Sequence, residues 1–200
     1  MTQPPQVWTS LEIVKLAVSL LTPVALLLLG IWVTRLAEQF KAVLWANQKV
    51  IEKRISIYDE MAPLLNDLYC YFTFVGHWKE LTPPEVVAIK RKLDKNIYIN
   101  APLFSADFRT AHFGFIHRCF ETYVGPGLDA KLRTPISTQD GDRPRAAPGG
   151  WKDSWDSMFS DLTEWSSRVE IEEAYANLMS CFASELGIGL RRAGNTSHAR

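Results

Sequence analysis

The sequence predicts an all-α protein, with an N-terminal single transmembrane helix that continues into a cytosolic bundle of about four helices. Three observations lead there. A run from Leu16 to Thr34 contains no ionised side chain, a seven-residue apolar recurrence carries on beyond it, and most of the remaining chain places its apolar residues at helical spacing with no clear strand pattern.

The apolar run is about 19 residues, or ~28 Å of helix, close to the hydrocarbon thickness of a bilayer. Upstream, Thr9-Ser10-Leu11-Glu12 has the pattern of a capping box and places a helix start near Ser10. Four residues are expected to anchor the two edges: Trp8 and Lys15 before the run, Trp32 and Arg35 at its end. Indoles favour the interface, and long basic stems can snorkel to the headgroups. A cleaved signal is the poorer reading, because Lys15 is the only basic residue before the core, Glu12 offsets it, and Gly30-Ile31-Trp32 makes a poor cleavage site. Pro23 is compatible with a span, since membrane helices tolerate proline.

Basic residues set the expected orientation. Arg35, Lys41, Lys49, Lys53 and Arg54 follow the run and only Lys15 precedes it, which puts the C-terminal side in the cytoplasm and the N-terminus outside, in a cell-membrane protein crossing once. Cys70, Cys119 and Cys181 form an odd, widely spaced set, in keeping with reduced thiols. The expected boundaries are an extracytoplasmic tail over 1–9, the transmembrane helix over 10–34, a cytosolic helical domain over 35–187 with a mobile loop at 135–150, and a disordered tail over 188–200.

Beyond the run, Leu36, Val43, Val50, Ile57 and Leu64 recur every seven residues, flanked by Leu44, Ile51, Tyr58 and Leu65. With the first row at d, the a positions include Phe40, Asn47, Arg54 and Met61, the candidate self-association residues of a coiled-coil stalk. The stripe is wider than a two-stranded seam needs, so packing within the chain's own bundle is the plainer reading. Pro63 is a candidate kink, and Gly76-His77-Trp78 a candidate end.

Thr82-Pro83-Pro84-Glu85 starts the next helix with a capping Thr, prolines in the first turn and a carboxylate near the positive dipole end. Val86, Ile89, Leu93 and Ile97 form its apolar face, and Lys90, Arg91, Lys92 and Lys95 make the best candidate for an anion or lipid contact, against the plainer reading of a solvated face. Phe104, Phe108, Phe115, Cys119 and Tyr123 continue the helical spacing, with Phe113, Ile116 and Phe120 alongside, until Gly125-Pro126-Gly127. Ser137 to Gly150 has almost no apolar side chain to bury and reads as the mobile loop. Helical spacing resumes through Trp151, Trp155, Phe159, Leu162, Trp165 and Val169, then Ala176, Met179, Phe182 and Leu186, with Gly187 as C-cap.

Little here spells out a reaction. His112 and His117 are on different helix faces, no paired Cys or His-Glu-x-x-His spacing occurs, and neither Gly125-Pro126-Gly127 nor Gly149-Gly150 continues as a phosphate loop. Cys119 lies beside Arg118 but on the apolar strip, where an inert buried cysteine is commoner than a nucleophile. Asp59-Glu60, Asp153 with Asp156, and Glu170 with Glu172 and Glu173 are expected on solvent faces. With 22 basic and 22 acidic residues the net charge is zero, which argues against nucleic acid as a partner. No cofactor, metal or catalytic residue is expected. The function expected is a membrane-anchored, non-enzymatic interaction or scaffold protein. Its partners are the lipid bilayer and a protein or a second copy; the alternative is a membrane-perturbing effector of toxin or defence type whose bundle senses a signal.

Overall fold

The computed structural model describes residues 10–122, 125–161 and 165–188, except the side chains at 10, 12, 13, 16, 17, 20, 42, 43 and 46. Trp8, the Thr9 and Glu12 halves of the expected capping box, Tyr123, Leu162 and the tail beyond 188 lie outside what is described. The chain divides into two compact units, Met1–Lys49 and Val50–Arg200.

Helix α1 runs from Ser10 to Thr73 and passes through Pro23 and Pro63. In the first unit it holds a 21-residue window, Leu21–Lys41, with mean hydropathy 1.5 and none of it buried, long and apolar enough to cross a membrane. The window reaches further along the chain than the expected end at Thr34 and takes in Arg35, Glu38 and Lys41. Its two hydroxyl side chains turn back on the helix: Thr22 donates to the Val18 carbonyl at 2.7 Å and Thr34 to the Gly30 carbonyl at 2.8 Å.

In the second unit, the last turns of α1 supply Ile57, Met61, Leu65, Leu68, Tyr71 and Phe72 to the core. Helix α2 (Pro83–Asn100) adds Val86, Leu93 and Ile97, and its expected capping box is present, the Thr82 main-chain N–H and hydroxyl each lying 2.7 Å from a Glu85 carboxylate oxygen. Helix α3 (Ala106–Cys119) packs along α5 (Arg168–Glu185). Phe182 of α5 is a centre of this packing, 4.5 Å from Phe108, 5.0 Å from Tyr58 and 5.7 Å from Phe104 between ring centres. Aromatic side chains buried this completely each contribute about 1.5–3 kcal/mol by leaving water. Gly187 follows α5 with φ 77, as expected of a helix-ending glycine.

Two expectations are corrected between these helices. The helix expected to run through Tyr123 stops at Cys119, and Phe120–Glu121 (β1) pairs antiparallel with Lys131–Leu132 (β2), so a short strand pair exists where none was expected. The helix expected from Trp151 to Val169 is, among the described residues, a 3-10 turn over Asp153–Met158 followed by a parallel bridge from Phe159 to Leu132; α5 starts only at Arg168. Asp153, Ser154, Asp156, Ser157 and Ser160 explain the change, because short polar side chains compete with helical backbone hydrogen bonds. Trp151, Trp155 and Phe159 pack on one another at 5.3 and 5.9 Å between ring centres, so the aromatic spacing reflects a cluster and not a helix face.

Candidate functional site

The residues singled out by sequence separate when placed in the fold. Phe40 and Asn47 are exposed on α1 in the first unit. Met61 is fully buried in the second unit's core, and Arg54 is taken up within the domain: its Nε donates to the Leu103 carbonyl at 2.7 Å, Nη1 to the Glu185 carbonyl at 2.9 Å, and Nη2 pairs with the Glu185 carboxylate at 3.1 Å. The other Glu185 oxygen accepts the Ser105 main-chain N–H at 2.8 Å, so one ion pair ties α1 to the start of α3 and the end of α5. Lys15, Trp32 and Arg35 are exposed. In the basic group, Lys90 is paired with Asp94 at 2.6 Å and lies 5.9 Å from the Phe120 ring, and Arg91 is paired with Asp129, whereas Lys92 and Lys95 are exposed.

One arrangement resembles a catalytic one without its chemistry. His77 Nε2 lies 2.8 Å from Asp67 Oδ1 beside the Cys70 thiol. Burial, however, pushes the Cys70 thiol up against the opposing pull of the His77 main-chain N–H, which disfavours the thiolate a nucleophile needs. Burial also pushes Cys119 well above the usual thiol range. His112 is fully buried with no hydrogen-bond partner on either ring nitrogen among the described residues, and burial pushes it down to about 4, opposed by Asp94. Among the described residues no three His, Cys, Asp or Glu side chains are grouped to hold a metal ion.

The site that stands out is at the C-terminal end of α1, where the segment expected to be loose docks. Asp142 caps helix α4 (Arg143–Ala146), its carboxylate accepting the Arg145 N–H at 3.4 Å and the Ser137 hydroxyl at 3.0 Å. Arg143, 2% exposed, then enters the core. Its guanidinium lies 3.9 Å from the Phe74 ring centre, 4.5 Å from Tyr71 and 6.0 Å from Phe159. Nη2 donates to the Tyr71 carbonyl at 2.9 Å and to Thr134 Oγ1 at 3.3 Å, and Nη1 donates to the Pro135 carbonyl. Ser137 to Gly150 reads as having almost no apolar side chain to bury; what it buries is a cation.

The charge is placed where the fold can accept it. Tyr71 lies in the last turn of α1, whose terminal carbonyls lack helical partners and carry the negative end of the dipole. No basic residue of α1 itself occupies that turn, so Arg143 caps the helix from 72 positions away. Burial still pushes Arg143 down to about 10, and pushes Tyr71 up to about 12 against the pull of the guanidinium.

Phe74 closes α1 with φ 57, a left-handed conformation that favours glycine. Gly141 passes so close that a Cβ there would lie 2.5 Å from Phe74 Cδ1 and 2.8 Å from Trp78 Cζ2. Above this floor is a cleft of about 560 Å³ lined in part by Phe74, Trp78, Lys79, Asp140, Asp142 and Arg145. Sequence reasoning missed Phe74, Gly141 and Arg143. The available signal was Asp142-Arg143-Pro144, an N-cap followed by proline in the first helical turn. No known protein family, curated protein or solved structure matches the chain.

Proposed function

We propose that the protein is a membrane-anchored, non-enzymatic interaction module, with its N-terminus outside and its helical domain in the cytoplasm, where it binds a protein partner or a second copy of itself. One observation carries this reading: the same helix, Ser10–Thr73, contains both a fully exposed apolar window at Leu21–Lys41 and the buried positions Ile57, Met61, Leu65 and Leu68 of the domain core. Such a window in water exposes a large apolar surface, and a bilayer covers it. The basic residues following Thr34 support the cytoplasmic placement. The exposed Leu44 and Ile51, beyond the Leu21–Lys41 window, favour a second copy as one partner.

Fractionation with alkaline washing, together with reporter fusions at each terminus, tests the anchor and its sense. The expected result is a pellet released only by detergent, with C-terminal fusions active on the cytoplasmic side. Release by alkali alone overturns the anchor; a C-terminal reporter active outside overturns the orientation.

A further inference from the structure

We propose that the cleft at the end of α1 binds a small zwitterion of the α-amino-acid type, its carboxylate facing Lys79 and Arg145 and its ammonium facing Asp140. The volume, about 560 Å³, is within the range of small-molecule sites, roughly 300–1,000 Å³. The charges around it identify the class. Lys79 and Arg145 line it together with Asp140 and Asp142, so the four charged lining residues cancel, and a net anion or net cation meets repulsion from half of them. A ligand carrying both charges meets an opposite partner at each end.

The partners are unequally available. Asp142 is engaged in capping α4 and accepting Ser137, which leaves Asp140, exposed beside it, as the acidic contact. Arg145 is exposed, and Lys79 lies 5.7 Å from the Trp78 ring, close to the floor. Phe74 and Trp78, packed edge to face at 5.1 Å, line the same cleft, which suits an apolar or aromatic side chain on the ligand.

The backbone adds an independent pointer. A phenylalanine held at φ 57 costs about 1–2 kcal/mol, and such strain in folded proteins gathers at ligand sites. Gly141, where a Cβ would collide with the Phe74 and Trp78 rings, lets the lining segment lie directly against them. Because Phe74 directly follows α1, occupancy bears on the end of that helix. The inference needs no membrane, so its failure and that of the anchor are separately visible.

The test is calorimetric titration of the full chain in mild detergent with phenylalanine, and with phenethylamine and 3-phenylpropionate, which each lack one of its charges. Phenylalanine is expected to bind in the range of about 10 μM to 1 mM, with each analogue weaker by roughly tenfold or more. Lys79→Met and Arg145→Met should bring phenylalanine down to the level of phenethylamine, and Asp140→Asn down to that of phenylpropionate. All three are surface changes, and an unaltered circular dichroism spectrum confirms the fold. Absence of phenylalanine binding to roughly 10 mM, an analogue binding as tightly as phenylalanine, or indifference to all three substitutions overturns the proposal.

Discussion

The guanidinium of Arg143 lies 3.9 Å from the ring centre of Phe74, and that ring belongs to the residue held at φ 57 just beyond α1. The relationship links a cation, a strained backbone and a helix end. Stacking with Arg143 offsets part of the strain of the left-handed turn at Phe74. Val75 completes the turn by donating its N–H to the Cys70 carbonyl at 3.2 Å.

Replacing Arg143 with Met is expected to destabilise the domain by about 2–4 kcal/mol, because the Tyr71 and Pro135 carbonyls lose a charged donor in a buried place. Arg143→Lys should recover only part of this, since an ammonium cannot make the same planar fork. Urea unfolding of the three proteins decides it. Equal stability of Met and wild type would remove the helix-capping role.

His112 should make the domain acid-sensitive. Its folded value, about 4, lies below the ordinary histidine value of 6.5, so the unfolded chain takes up the proton first as pH falls. The residue therefore has no effect above about pH 7; it lowers stability by about 2 kcal/mol at pH 5 and about 3 kcal/mol at pH 4. Unfolding curves at several pH values, compared between wild type and His112→Leu, should show that the variant lacks this part of the slope.

Arg54→Leu is expected to weaken the domain by about 1–2 kcal/mol, discounted for the partial exposure of the side chain, and not to tighten self-association. A double-mutant cycle with Glu185→Gln should show coupling of about 1 kcal/mol. A rise in oligomer on removing Arg54 would return it to the coiled-coil seam.

Gly141→Ala should cost about 1–3 kcal/mol through collision with Phe74 and Trp78, whereas Gly127→Ala has open space and only its own positive φ, 75, to strain. Thermal unfolding of the two variants separates crowding from backbone strain.

The parts of the fold that are legible in the sequence are those where local and tertiary signals agree. Thr82-Pro83-Pro84-Glu85 starts α2 as read, and Val86, Leu93 and Ile97 are buried on its expected face, with Ile89 half-buried. The Trp151-to-Phe159 spacing misleads because aromatic residues four apart also meet in a compact turn, and only the Asp and Ser residues between them argue against helix. Arg143 is hidden for a different reason. Hydropathy assigns every arginine to solvent, and neither the rings nor the helix end that receive this one are its sequence neighbours. Arg54 likewise reads as a polar seam residue until Glu185, 131 positions away, comes beside it.

Thr22 and Thr34 carry a consequence for the apolar window. Each hydroxyl donates to a carbonyl one turn earlier on its own helix, so the proton that could bridge to a neighbouring span is already committed. To another helix in lipid these two residues present chiefly a methyl group and an oxygen lone pair. Any recognition between spans through this stretch would depend on shape, the fit of Gly30 and Ala25 against bulkier leucines, and not on an exchanged hydrogen bond.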